Sequence, residues 1–390
     1  MAVLGRFGPL FAMMAGPALL ATVAASYTAF WFYHGSHLKG LIAEWAEARR
    51  AEGHAVAYTV DGTSGFPFSV EVGLKTVRLD VRRGDSEIWS LHAPELTVKS
   101  GVFSPREISL DLPKSAQLGL SRPGLEGRLA KTAGTARIDL SLAAKTGTAV
   151  RLTLAEAQFA GTWRGTALAS PLIVGDARGS LLLASPPNPA EASVRLDLAV
   201  RDLRWPSNLT YSLGQDLAMF DLSAKLSGPM AHGGEAFDTL TRWRDAGGKV
   251  TIDRLAMKWG TSAFAGYGSF GMDENLQPSG SLVARVEGFV PLVDVLEEAD
   301  LIRAADATLA RLVIGRQMPR SGAGNLSLSL HDGAVMAEAL TLVQVPRLDW
   351  PQLPKKPVRN RLTPGGEQLL QPGIDIGRDG AFDRQGSPLQ

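Results

Sequence analysis

The chain has 390 residues with 40 basic against 39 acidic side chains, a formal charge of +1, a balance without the large basic excess of a protein held on nucleic acid by phosphate contacts, which argues against that class. It contains no cysteine, which removes disulfides, thiolate catalysis, iron–sulfur clusters and cysteine zinc sites together. Hydrophobic residues make up 45% and charged residues 20%, enough apolar side chain for most of the chain to bury a core.

After a six-residue leader (1–6), residues 7–33 carry no charge. About 20 residues at 1.5 Å each cross the apolar layer of a bilayer, so the run is long enough to span. Gly16 and Pro17 inside it are tolerated in lipid-embedded helices. Tyr27, Phe30, Trp31, Phe32 and Tyr33 read as an aromatic belt at a headgroup boundary. The competing reading is a cleaved signal peptide, with Val23-Ala24-Ala25 as the cleavage site. The apolar run continues past Ala25 to Tyr33, which favours a retained anchor. Arg6 precedes the run and Lys39 is the first basic residue after it. This favours a cytoplasmic amino terminus, although Arg49 and Arg50 oppose it.

Residues 34–53 form an amphipathic helix, with Leu38, Leu41, Ile42 and Trp45 at helical spacing. It either continues the anchor or stands apart, and packing on the following domain is the simplest role for it.

From His54 the pattern changes to period two. Val70, Val72 and Leu74 alternate with polar or small residues, and Val77, Leu79 and Val81 resume after a phase shift at Lys75-Thr76 that signals a bulge or turn. Similar runs centre on Ile108–Leu112, Ile138–Leu142, Val150–Leu154, Val194–Val200, Phe220–Gly228 and Asn325–Gly333. One apolar and one polar face per strand describe an antiparallel sheet. Two later segments read as helix: Phe237 to Gly248, and 290–316 with a break near Asp300. The second is expected to pack on the apolar face of the sheet. From Pro346 to Gln390, seven prolines and six glycines in 45 residues describe a disordered tail.

Motifs of chemistry are few. The chain has six histidines; His34 and His37 lie three apart on one helix, but no nearby carboxylate completes a metal site, and interfacial polar residues are the better reading. HExxH, GxSxG and phosphate-loop patterns are absent from the sequence. Gly266 to Gly271 matches GxGxxG, yet MDENLQPSG follows where a cofactor-binding helix would have to begin. Glu297, Glu298 and Asp300 suit a solvated surface. No cofactor, metal or catalytic residue is expected, and the chain is not read as an enzyme.

The order of signals carries a resemblance. Gly65-Phe66-Pro67 opens the first long strand. Trp259-Gly260, Gly268-Ser269-Phe270, Pro278-Ser279-Gly280, the helix from Val290 and Leu326–Gly333 follow much later. This resembles the bacterial family called domain of unknown function 2125, over roughly residues 10–346; residues 100–200 carry no motif of it. More distantly, the carboxy-terminal half is similar to the AsmA-like group. The resemblance implies an inner-membrane anchor, a β-rich periplasmic part and, from the AsmA-like group, long sheet grooves linked to lipid traffic. It implies no catalytic residue.

The expected protein is therefore mainly β with a few helices: a transmembrane helix, then a large, curved antiparallel sheet over 54–345, either an open groove or a closed sandwich. It is expected at the bacterial inner membrane, single-pass, with the bulk in the periplasm. A continuous apolar sheet face with few helices to cover it points to binding of lipid or another amphiphile, with Val70, Val72, Leu74, Val194, Leu196 and Leu198 as the lipid-facing set. The alternative is a non-catalytic scaffold in an envelope complex, its sheet closed over its own core. The expected partners are the inner-membrane bilayer, a lipid ligand and other envelope proteins, with no nucleic acid.

Overall fold

The computed structural model describes residues 8–348 except 85, 122–125, 144–146, 185–191, 210, 229–235, 300–301, 318–322, 338–339 and 345–347; within its elements the side chains of 8–19, 21, 143, 236, 237, 313–317 and 340–344 are also left out. The expected tail, 346–390, lies outside the described residues apart from Leu348.

A single helix, α1 (Gly8–Ala51), joins the expected anchor and the amphipathic segment without a break. It ends where the Gly53 and His54 amides bond back to the carbonyls of Arg50 and Arg49, both at 3.0 Å, satisfying last-turn acceptors. Among the described residues no helix is long and apolar enough to cross a membrane. The first part of the expected span, 7–19, lies among residues whose side chains are not described. Its distal end differs from expectation: Trp31 is buried against the sheet, so the helix has already docked within the stretch expected to span.

Strands β1 (Ala55–Ser64), β2 (Ser69–Arg83), β3 (Ser86–Gly101), β4 (Ser104–Asp111), β5 (Gln117–Leu120), β6 (Gly127–Ala143), β7 (Gly147–Trp163), the two-residue β8 (Thr166–Ala167), β9 (Leu172–Leu183), β10 (Ala192–Arg204) and β11 (Asp216–Ser227) follow. Helix α2 (Ala236–Asp245) precedes β12 (Lys249–Trp259), β13 (Ser262–Met272) and β14 (Pro278–Glu287). Helices α3 (Phe289–Glu298) and α4 (Ala304–Gln317), separated as the sequence predicts, lead to β15 (Ala323–His331), β16 (Ala334–Ala337) and β17 (Leu340–Gln344).

All the strands belong to one 17-stranded sheet. Every pairing is antiparallel and joins strands adjacent or nearly adjacent in sequence, so the chain meanders from β1 to β17. Short β4 and β5 share one position: each pairs with β3 on one side and β6 on the other. Edge strand β1 pairs with β2 and edge strand β17 with β16. Among the described residues the two edges do not pair with each other.

The register carries the apolar alternation across the whole sheet. Val72, Val98, Leu110 and Ile138 stand opposite one another in turn, and the row continues through Leu152, Gly179, Leu198, Leu222 and Leu255. Directly opposed residues share a face, so this row marks one side. The other side carries directly opposed ion pairs: Glu71 with Lys99 at 2.8 Å, Asp111 with Arg137 at 2.7 Å and Asp216 with Arg204 at 2.6 Å. Such exposed pairs contribute little stability, but they fix which face meets water and so help set register.

Positive-φ residues interrupt the pleat. Thr76 (φ 53°) stands at the expected phase shift in β2, and Leu74 and Val77 on either side of it turn into the same cluster. A second line crosses β6, β7 and β10 at Gly134 (φ 72°), Glu156 (φ 49°) and Asp202 (φ 51°). Aligned bulges bend and twist a sheet. Here they let Ala157, Phe159, Val174 and Ala177 gather on the same side as Leu154 and Val200.

Candidate functional site: an uncovered apolar stretch of the sheet

Helices cover the apolar face at both ends of the meander. At one end α1 lays Trp31 and Leu38 onto Val70, Val72, Leu74, Leu96 and Val98. At the other, Val293, Ala307 and Ala310 of α3 and α4 pack on Ala284, Val286 and Leu326. Next to this, α3 places Val295 among Leu213, Leu217 and Trp259. Between them the core cluster of Ala157, Phe159, Val174 and Ala177, with its partly buried neighbours, consists of strand residues alone.

Along β6, β7, β9 and β10 the face is open. Leu142, Leu152, Leu183 and Leu196 are each 37–40% exposed. They belong to adjoining rows of one face: Leu142 and Leu183 stand in the row of Thr148 and Val194, Leu196 in the row of Leu140, Val150 and Leu181, and Leu152 in the row of Gly179 and Leu198. Gly179 leaves a gap in the neighbouring row, where a Cβ would sit 3.7 Å from the Leu152 Cβ and 3.8 Å from a Leu198 methyl. A floor of leucines with a notch at Gly179 offers van der Waals contact and no hydrogen bond. It suits an alkyl chain better than a polar solute.

The six residues expected to face lipid separate into two sets. Val70, Val72 and Leu74 are core residues filled over by α1. Val194, Leu196 and Leu198 lie on β10 in the open stretch, with Leu196 more than one-third exposed and its two neighbours partly buried. Gly179 and Leu183 were not singled out by the sequence, although Leu181 and Leu183 in DARGSLLL carry a short period-two signal.

The polar groups do not converge on a reaction centre. His34 is buried against Ser100 Oγ at 3.3 Å; burial, then neighbouring His37, holds its imidazole below the ordinary value. His37 stacks parallel to Tyr33 at 6.4 Å, so the two histidines serve different contacts. Lys131 donates to the Leu112 carbonyl at 2.9 Å, and burial, then Lys114, pushes its ammonium down. Asp80 is enclosed between Arg78 (2.7 Å) and His92 (2.8 Å). These groups sit on separate elements, and among the described residues no cluster of three or more metal-ligating side chains occurs. The Gly266–Gly271 motif lies inside β13, and a Cβ at Gly268 would meet the Ser281 carbonyl at 2.4 Å. Its glycines serve strand packing. A recess of about 360 Å³, lined by Lys249, Ser269 and Ser279 and equally by Phe270 and Met272, is walled by Arg244, which is engaged by Asp245 and by the carbonyls of Asp273 and Glu274.

No curated protein and no solved structure matches the chain. A family model described as "Uncharacterized protein conserved in bacteria (DUF2125)" matches residues 31–346. That match begins at Trp31, where α1 first buries a side chain against the sheet, and extends through the last strand. The chain belongs to the DUF2125 family.

Proposed function

We propose that the protein is an inner-membrane-anchored binding protein whose periplasmic sheet accommodates an acyl chain on the uncovered stretch between the helix-covered ends. The observation that carries this reading is the exposure of Leu142, Leu152, Leu183 and Leu196, each more than one-third, on an apolar face that helices cover at both ends of the sheet. Large side chains left this way in register form a contiguous apolar surface, which a soluble fold normally covers. The similarity to AsmA-like envelope proteins noted in the sequence belongs to the same proposal, as does a role in binding without catalysis. Because Tyr27 and Trp31 dock on the sheet, the anchor is proposed as residues 7–26. Those 20 uncharged residues are about 30 Å long as a helix, the thickness of the apolar layer.

A scaffold reading has one observation in its favour: near Phe159 and Val174 the same face is filled by strand residues from β5, β6, β7, β9 and β10. One experiment separates the two. Protein extracted gently from membranes is analysed by native mass spectrometry beside Leu196→Gln. Stoichiometric lipid on the parent chain, reduced in the variant at unchanged circular dichroism, supports binding. Lipid no higher than on an unrelated single-span control supports the scaffold.

A further inference from the structure

Two turns at one rim of the sheet carry exposed aromatic rings among ordinary turn formers. Gly65-Phe66-Pro67-Phe68-Ser69 joins β1 to β2, and Gly101-Val102-Phe103-Ser104-Pro105 joins β3 to β4. Neither holds a charged residue, whereas exposed connections favour polar side chains. Phe68 and Phe103 are 80% and 82% exposed, and Phe66 is more than half exposed. The pairing of Ser69 with Gly101 places the turns side by side, and the Val102 amide donates to the Phe68 carbonyl at 3.5 Å.

Helix α1 leaves the sheet through this patch. The Tyr27 ring lies 6.1 Å from Phe66 and 6.3 Å from Phe103, and its hydroxyl donates to the Pro67 carbonyl. One turn on, Trp31 lies 5.7 Å from Phe66. Just upstream of Tyr27 the described residues of the helix are exposed, Leu20 and Val23 among them. A collar of uncharged aromatic tips thus surrounds the foot of this apolar stretch of helix.

We propose that this collar, chiefly Phe68 and Phe103 with Phe66 and Tyr27, seats in the interfacial layer of the bilayer. This rests on the reading of residues 7–26 as an anchor. The occupant follows from continuity: the uncharged helix emerges from the middle of the patch and is long enough to span, so the layer next to the collar is the headgroup–acyl boundary. Tyrosine is favoured at headgroup level, and the phenylalanines of interfacial segments bury about 5–10 Å into the headgroup–acyl boundary. The same rim carries the ends of the open stretch, because the register runs from Gly101 to Ser104, from Glu107 to Ser141, and from Thr148 to Leu183. Seated in this way, the leucine floor opens toward the membrane.

The chain has no cysteine, so single introduced cysteines give unique labels. The full chain carrying Val23→Cys, Phe68→Cys, Phe103→Cys or Ser86→Cys is labelled with a nitrobenzoxadiazole probe. It is reconstituted in phosphatidylglycerol–phosphatidylcholine vesicles with or without doxyl-labelled lipid. All four sites are exposed, so the fold is kept. Ser86, at the opposite rim, is the control. The expected result is quenching at positions 23, 68 and 103 on the order of twofold or more above that at 86. Quenching at 23 with 68 and 103 matching 86 overturns the collar and leaves the anchor standing. No excess at 23 overturns the anchor reading and the collar with it. Labels at 68 and 103 that are shielded from lipid quenchers, and become accessible when the chain is diluted with vesicle lipid, assign the patch to a second copy and overturn the proposal.

Discussion

The indole N–H of Trp31 donates to the carbonyl of Ser69 at 2.7 Å. This bond ties α1 to the first residue of β2. Trp31 is 4% exposed and packs with Val70, Val72 and Leu38, so it carries both an apolar anchor and a hydrogen bond. Trp31→Phe keeps most of the packing and is expected to cost about 1 kcal/mol from the lost bond. Trp31→Ala is expected to cost about 3–5 kcal/mol from the cavity. Urea unfolding measures both, and equal losses in the two variants would show that packing contributes nothing beyond the bond.

The Asp80 carboxyl gives the fold an acid limit. Burial alone would raise its pKa, but hydrogen bonds from His92 and Arg78 outweigh this and hold the group below its ordinary value of 3.8. A depressed folded value means the unfolded chain binds more protons through the interval between the two values. The stability is present above pH 3.8 and is lost as pH falls through the folded value. Asp80→Asn is expected to flatten the acid limb of a melting-temperature profile below pH 4, leaving an isolated amide among donors. A limb of unchanged steepness would place the acid sensitivity elsewhere.

His34 acts at a higher pH. Burial, then His37, lowers its pKa from 6.5, so the folded state disfavours the imidazolium. Stability is full above pH 6.5 and falls as pH drops from there toward the folded value. His34→Gln, which keeps a polar partner for Ser100, is expected to remove that mild-acid slope. The check is hydrogen exchange of β2 and β3 amides between pH 5 and 7, after correction for intrinsic rates.

The bend line rests on Gly134. Its φ of 72° and the close approach of the Glu156 carbonyl, 2.1 Å from where a Cβ would stand, exclude any side chain without movement of β7. Gly134→Ala is expected to destabilise by about 2 kcal/mol or more. Gly165, also at positive φ but with open space around it, is the comparison. Its alanine variant is expected to lose less, by chemical denaturation.

The strands were legible because the register preserves a period-two alternation already present in the sequence. Leu196 and Val72 show how far that legibility extends. Both lie in alternating runs of valine and leucine, yet Val72 is covered by α1 and Leu196 is not. Coverage depends on which helix reaches which strand, and alternation holds no record of that. The left-handed conformation at Glu156 was illegible for a related reason: glutamate has no local preference for it, so tertiary register imposes what local preference disfavours. The aromatic cluster at 27–33 was legible as composition but not as geometry. Tyr27 and Trp31 turn inward on a helix whose Phe30, Phe32 and Tyr33 stay exposed, and Tyr27 meets Phe66 and Phe103 from turns about 40 and 75 residues later, an association set by sheet pairing.

Gly179 provides the sharpest test of the open stretch. It stands between Leu152 and Leu198 in the apolar row, and its φ is not in the left-handed region. A Cβ there makes ordinary contacts at 3.7 and 3.8 Å. Gly179→Ala is therefore expected to leave stability within about 1 kcal/mol, because a strand glycine gains from a side chain that fits. Gly179→Phe adds a ring that projects over Leu152 and Leu198 and fills the notch. If an acyl chain lies on this floor, the phenylalanine variant stays folded and loses the lipid, while the alanine variant keeps it. Co-purified lipid per chain, measured by mass spectrometry alongside thermal melts, separates the outcomes. Equal lipid on both variants would place the ligand elsewhere on the protein, because a ring at this position cannot share the notch with an alkyl chain.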